Sequence, residues 1–232
     1  FKVDGKSFAM QKDSIPPFWS GRSIRERIVE AVDNQWQDAY KAGVFTEVME
    51  QRAPGHTVID DKIYRKGFID FKKDIQKSSS QFDLLNDPHA NDKKEELKAI
   101  DITVDALIGF ANRYSKKAEL LAIKEENKKR KSELVEIARI CKKVPKYTPE
   151  TFHEALQYYW FVHLGVITEL NTWDSFNPGR LDQHLYPFYR KAISDGILTN
   201  ESAIALLQAL WTKFNNQPAP LEVGVTAEES GA

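Results

Sequence analysis

Cysteine is almost missing from this chain of 232 residues, with Cys141 standing alone. That excludes an intrachain disulfide and suits a reducing compartment. Net charge is almost missing too, because 33 Lys and Arg face 34 Asp and Glu. No global field therefore favours nucleic acid or an anionic membrane, and neither is expected as a partner. Long apolar runs are absent. Trp160 to Ile167 is among the longest and falls far short of a bilayer span, and no basic-then-apolar leader opens the chain. The sequence has no H-E-x-x-H, C-x-x-C, G-x-S-x-G, Walker loop or G-x-G-x-x-G. The commonest zinc, nucleophile and nucleotide signatures are thereby removed, and no metal is expected. No internal repeat and no convincing strand alternation is found, although V-I-T-E-L and L-E-V-G-V could be short buried strands.

What the sequence does hold is helical periodicity, so the expected class is predominantly α. Phe1 to Gly21 reads as an irregular lead-in, with Pro16 and Pro17 blocking a helix. Ser23 and Glu26 form a capping box, and a stripe through Ile24, Ile28, Ala31, Val32 and Trp36 predicts one helix running toward Gly43. Phe45 to Gln51 continues as a short helix until Pro54 and Gly55 break it. From Asp60, Ile63, Gly67, Phe68, Phe71 and Ile75 mark another helix, ending at Ser78 to Ser80. Two long helices follow. Asn91 to Lys117 carries Leu97, Ile100, Val104, Leu107, Ile108 and Ala111, and Ala118 to Lys142 carries Leu121, Leu134, Ile137, Ala138 and Cys141. The K-E-E-N-K-K-R-K run is either a solvated face or a junction. Thr151 and Glu154 form a second capping box, opening a helix whose apolar residues go nearly all the way round. Tyr186 to Ile193 and Glu201 to Phe214 complete the set, with Gly196 as a stop and Asn200 as a cap.

Polar chemistry gathers in Glu169 to Tyr189, E-L-N-T-W-D-S-F-N-P-G-R-L-D-Q-H-L-Y-P-F-Y, which sets Asn, Asp, Ser, Arg and His among aromatics after the most apolar helix. That is the composition of a small-molecule pocket. Trp173, Ser175 and Phe176 are the candidate ligand-facing residues. Pro178 to Gln183 forms the turn that fixes them, with Arg180 and Asp182 as an internal hydrogen-bonded scaffold. A second constellation is Q-R-A-P-G-H-T, whose turn could aim the Arg52 guanidinium and the His56 imidazole at one point. Arginine offers a fork for an anionic head group and histidine a proton near neutral pH. A helix terminus whose carbonyls Arg52 satisfies explains this stretch equally well. His153 and His163 are too far apart along their helix for one metal and read as core histidines. His89 is read as exposed and Cys141 as an inert buried thiol.

Three stretches in order, R-A-P-G-H-T-V, E-I-A-R-I-C-K-K-V-P with P-E-T-F-H-E-A-L-Q-Y-Y-W-F-V-H-L, and P-G-R-L-D-Q-H-L-Y-P-F-Y, resemble the N-terminal half of the glycyl radical enzymes, the pyruvate formate-lyase family in its broad sense. The resemblance covers nearly the whole chain and is nearest the branch of diol dehydratases and carbon–sulfur lyases. It implies a ten-stranded α/β barrel of which residues 1–232 form part of a single domain. In that family a glycyl radical on a C-terminal loop oxidises a cysteine, and the thiyl radical takes a hydrogen atom from the substrate. Neither radical residue matches here, since Cys141 falls outside the family's G-C-x-E loop. The chain, which starts at Phe1 and stops at T-A-E-E-S-G-A, is therefore expected to be a fragment, inactive alone, that binds no cofactor itself.

The resemblance further implies an anaerobic, cytoplasmic lyase, free or within a bacterial microcompartment. The full-length protein would be homodimeric and served by a radical S-adenosylmethionine activating enzyme. Its small substrate would carry a C–S or C–O leaving group. By this likeness Arg52 reads an anionic head group and His56 assists the leaving oxygen, while Trp173, Ser175 and Phe176 face the ligand. The N-T-W-D-S-F-N lead-in looks more like the sulfonate-cleaving lyases, such as isethionate sulfite-lyase, than like the glycerol and propanediol dehydratases. A diol dehydratase and a non-catalytic helical binding module remain the alternatives.

Overall fold

The computed structural model describes residues 4–44, 60–83, 85–169 and 178–215, and every regular element among them is an α-helix. The chain divides into two compact units, Phe1–Gln51 and Arg52–Ala232.

In the first unit the lead-in is helical, contrary to the sequence expectation. Helix α1 spans Gly5–Asp13, where Asp4 Oδ1 accepts the Lys6 and Ser7 amides at 3.1 and 3.0 Å. Helix α2 spans Ile15–Trp19 with proline in its first turn. Amides there have no intrahelical acceptor, so Pro16 and Pro17 forfeit nothing. The Ser23–Glu26 capping box opens α3, Ile24–Ala31, as expected. The stripe beyond it is not continuous. Val32 leaves the helix at ψ 154°, and Asp33 starts α4, Asn34–Lys41, by accepting the Trp36 amide at 2.8 Å. Gln37 Nε2 bridges the break by donating to the Val29 and Val32 carbonyls at 3.0 and 3.3 Å. An aspartate free to cap competes with helix continuation, and here it wins. The expected helix Phe45 to Gln51 lies outside the described residues, as do the turn at Pro54 and Gly55 and the L-E-V-G-V strand.

The second unit is organised around α9, Phe152–Glu169, which packs against neighbouring helices before and after it in the chain and meets Phe68 where that ring lies 5.5 Å from Tyr158. Tyr158, Tyr159, Phe161 and Val162 are each at most 1% exposed, so the all-round apolar reading holds. Val166 to Glu169 lie in this helix, which rules out the V-I-T-E-L strand through those residues.

The helix expected from Asp60 is two. Helix α5 covers Lys62–Arg65 and α6 covers Phe68–Ser79, with extended backbone at Lys66 and Gly67. The amides of Phe68 and Ile69 donate to the carbonyls of Pro145 and Lys146 at 2.9 and 3.1 Å. Two amides that a continuous helix would bond internally are thus satisfied by another segment. A Cβ at Gly67 would lie 2.5 Å from the Tyr147 backbone.

Helix α7, Ala90–Lys124, runs 35 residues without the expected boundary at Lys117, and α8 is Lys128–Lys143. Nothing between Lys117 and Ala118 breaks a helix, whereas Asn127 caps α8 by accepting the Arg130 amide at 3.0 Å. The basic run is therefore a junction. Ala111, Ser115, Ala118 and Ala122 are buried at heptad spacing, and Ser115 Oγ donates to the Ala138 carbonyl of α8 at 2.8 Å. Small residues let the two helices approach closely. Ile100 and Leu121, expected in the apolar stripes, stand 41% and 43% exposed.

Helix α10 spans Leu181–Ser194, starting before the expected Tyr186 and carrying Pro187 inside. Burial of Leu181 and Leu185 favours the earlier turn. Gly196, at φ 67°, ends the helix as expected. Helix α11 is Asn200–Asn215, and its cap is Thr199 rather than Asn200. Thr199 Oγ1 accepts the Ser202 amide at 3.2 Å, while Asn200 Oδ1 accepts the Tyr189 hydroxyl at 2.8 Å and ties α10 to α11.

Candidate functional site

Arg52, His56, Trp173, Ser175 and Phe176 lie outside the described residues. What the structure gives is the frame from which both stretches depart. The first ends at Asp60, whose backbone is left-handed at φ 53°. The second ends at Pro178, and the turn through Gly179 at φ 66° leads into α10. These two re-entry points meet, because His184 Nε2, about one turn into α10, lies 3.3 Å from Asp60 Oδ1. The Tyr64 ring sits 5.4 Å from the His184 ring and 6.2 Å from Phe188. Tyr64 Oη and His184 Nδ1 are both buried with no hydrogen-bond partner. Sequence reading missed His184 and Asp60, although each stands in a quoted motif or beside one.

Arg180 and Asp182 are not the internal scaffold expected of them. Their side chains are 68% and 69% exposed, and they bond to each other at 3.3 Å across the turn. The pair clips the turn from outside, where an ion pair contributes little.

The remaining polar groups serve the core. His163 is buried against Trp160 and Phe214, with its Nδ1 3.3 Å from the Tyr159 hydroxyl. Burial disfavours its charged form and pushes its pKa down to about 4. Burial likewise lowers His153. Cys141 is 3% exposed, and burial pushes its thiol up to about 11, so it is a poor nucleophile at neutral pH. His89 is exposed. Among the described residues no group of three or more His, Cys, Asp or Glu could hold a metal, and no helix is long and apolar enough to cross a membrane.

Sequence reading treated Glu154 only as a cap. It closes the box with Thr151, yet it is also fully buried and accepts from Arg139 Nη1 at 2.9 Å, Lys143 Nζ at 2.8 Å and the Glu150 amide at 2.8 Å. Burial would raise this carboxyl. The bonds from Lys143, Glu150 and Arg139 outweigh that, and its pKa is lowered. The signal in the sequence was two cations, Arg139 and Lys143, four residues apart on α8 and just upstream of a glutamate on the most apolar helix.

A cavity of about 620 Å³ lies between α10, α11 and the start of α9, lined by Phe152, Leu185, Tyr189, Leu207 and Trp211 among others. It borders Pro178 and Gly179, so the C-terminal half of the polar stretch lines an apolar recess.

The family described as pyruvate formate lyase-like matches residues 1–232, and the chain belongs to it, among the glycyl radical enzymes. A glycyl radical enzyme from Archaeoglobus fulgidus superposes with a TM-score of 0.70 at 32% identity, over 93% of this chain and 27% of that one.

Similarity is high to trans-4-hydroxy-L-proline dehydratase from Clostridioides difficile, 51% identical over 230 residues. That match covers 99% of this chain and 29% of the dehydratase. The crystal structure of that hydroxyproline dehydratase with trans-4-hydroxy-L-proline bound superposes with a TM-score of 0.80, over 97% of this chain and 28% of that one. Isethionate sulfite-lyase from Oleidesulfovibrio alaskensis is 33% identical over 208 residues, 86% of this chain and 25% of the lyase. The chain thus spans between a quarter and three tenths of the length of the curated relatives it matches.

Proposed function

We propose that this chain is part of a glycyl radical dehydratase that removes water from a hydroxylated cyclic amino acid, with trans-4-hydroxy-L-proline as its substrate. The observation that carries this reading is 51% identity to the hydroxyproline dehydratase along 99% of the chain, against 33% to the isethionate lyase. It takes precedence over the sulfonate-cleaving reading of the N-T-W-D-S-F-N stretch.

The chemistry of the candidate residues agrees with such a substrate. A proline carboxylate is a planar anion that the Arg52 guanidinium can grip with two parallel hydrogen bonds. A hydroxyl leaves more readily as water when His56 donates a proton to it. Trp173 and Phe176 offer apolar faces to a saturated ring, and Ser175 a hydrogen bond to its polar edge. Hydrogen-atom removal falls to a radical-bearing cysteine supplied by further sequence, because Cys141 is buried and unreactive. The full protein is accordingly a barrel of the family's kind, closed around this segment as one wall. It acts as a homodimer and depends on a radical S-adenosylmethionine activase.

The test is anaerobic turnover by the full-length protein after activation, with trans-4-hydroxy-L-proline and isethionate offered in parallel. Loss of water from hydroxyproline without sulfite release is expected. Sulfite release from isethionate, with hydroxyproline untouched, would overturn the reading.

A further inference from the structure

Helices α7 and α8 leave an open groove of about 520 Å³ along one side of their seam. Its floor is Ala122 and Ala138, both buried, and its walls carry Ile123 at 73% and Val135 at 55% exposure. One exposed aliphatic side chain needs no explanation. Two of them facing each other over alanines leave room for a further helix to approach closely. Arg139 on the rim is taken up by Glu136 and Glu154. Glu119 and Lys131, which also line the groove, are exposed, and among the described residues neither side chain has an ion-pair partner.

These four side chains are placed symmetrically. Ser115 Oγ bonds the Ala138 carbonyl across the seam, so those two residues mark one level on the two antiparallel helices. Toward the link between the helices, Glu119 lies four residues from Ser115 and Lys131 seven from Ala138. Ile123 lies eight residues from Ser115 and Val135 three from Ala138. Rise per residue is the same in both helices. The Glu119–Lys131 and Ile123–Val135 pairs therefore share one midpoint, and each has a member on either helix.

We propose that this groove is where two copies of the full-length enzyme meet, about a two-fold axis that crosses it at that midpoint. Such an axis lays Glu119 of one copy over Lys131 of the other and Ile123 over Val135, and it makes each contact twice. The two unpaired charges then find partners, and the two exposed aliphatic side chains cover each other. A surface shaped for an unrelated chain has no need of this symmetry. The inference rests on the reading above that the full-length protein is a homodimer, and it names the surface that joins the copies.

Sedimentation equilibrium on the full-length protein tests it with Glu119→Lys, Lys131→Glu and the two combined. Each single reversal sets like charges together on both sides of the axis and is expected to raise the dimer dissociation constant at least about 10-fold. The double reversal restores both pairs and returns it to within about 3-fold of the parent. A parent that sediments as a monomer would remove the homodimer reading and this surface with it. A dimeric parent whose dissociation constant neither single reversal moves, or a double reversal no better than the singles, would overturn the surface alone. So would single reversals that lower the melting temperature equally at every protein concentration and leave the dissociation constant unchanged, because the groove would then be covered by further sequence of the same chain.

Discussion

Burial takes His163 down to about 4 from an ordinary 6.5, which ties folding stability to pH in a defined window. A depressed histidine pKa means that the unfolded chain binds the proton more readily. The contribution is therefore fully present above pH 6.5 and is lost as pH falls toward 4. It is on the order of 3 kcal/mol in full, and replacing His163 with Leu is expected to flatten the loss seen in denaturant midpoints between pH 7 and 5. Cys141→Ser should leave turnover and radical yield of the full-length enzyme unchanged, because the thiol is buried and held protonated. For Arg52, removal of a paired guanidinium from a carboxylate costs about 2–5 kcal/mol. Arg52→Ala is then expected to raise KM by roughly 30-fold or more, measured on hydroxyproline, and an unchanged KM would remove Arg52 from the head-group role. His163 and Cys141 were read as core residues from local chemistry, and both are buried. Asp60 and His184 were not singled out, because their contact joins segments that no spacing rule connects.

At the scale of the element, Gly67 decides where α6 begins. Its Cβ position is occupied by the Tyr147 backbone at 2.5 Å, and backbone cannot swing aside as a side-chain tip can. Gly67→Ala is expected to destabilise by about 3 kcal/mol, read as a lower denaturant midpoint with an unchanged slope. The same position shows why some boundaries were legible and others were not. Both capping boxes, Ser23 with Glu26 and Thr151 with Glu154, are contained within four residues and were read correctly. The break at Lys66 and Gly67 depends on carbonyls of Pro145 and Lys146, far along the chain, so periodicity ran straight through it. At α10 the boundary erred in the opposite direction: the expected start was Tyr186, whereas buried Leu181 and Leu185 carry the helix back before Pro187. The dual role of Glu154 was hidden for a related reason, since a cap is local and a buried charge with Arg139 and Lys143 is not.

For the whole molecule, helical class and family membership were readable because helix periodicity and ordered motifs survive without knowledge of packing. The arrangement around α9 was readable only in outline. Its all-round apolar surface announced a central position, but the partners that surround it come from both sides in sequence, as when Tyr158 donates to the Lys66 carbonyl at 3.0 Å. Helices α7 and α8 differ in this respect. Joined by a short link and packed on each other through Ala111, Ser115, Ala118 and Ala122, they make their contacts with near neighbours in the chain. Closing a short loop loses little entropy, and local contacts form fast. Pulse-labelled hydrogen exchange during refolding is expected to protect amides of residues 111–122 and 134–141 before those of residues 152–167, and simultaneous protection would contradict this order. The hairpin also emerges from the ribosome ahead of α9, α10 and α11. A chain whose most apolar helix must await distant partners would in this way have a folded surface ready for that helix as soon as it is synthesised.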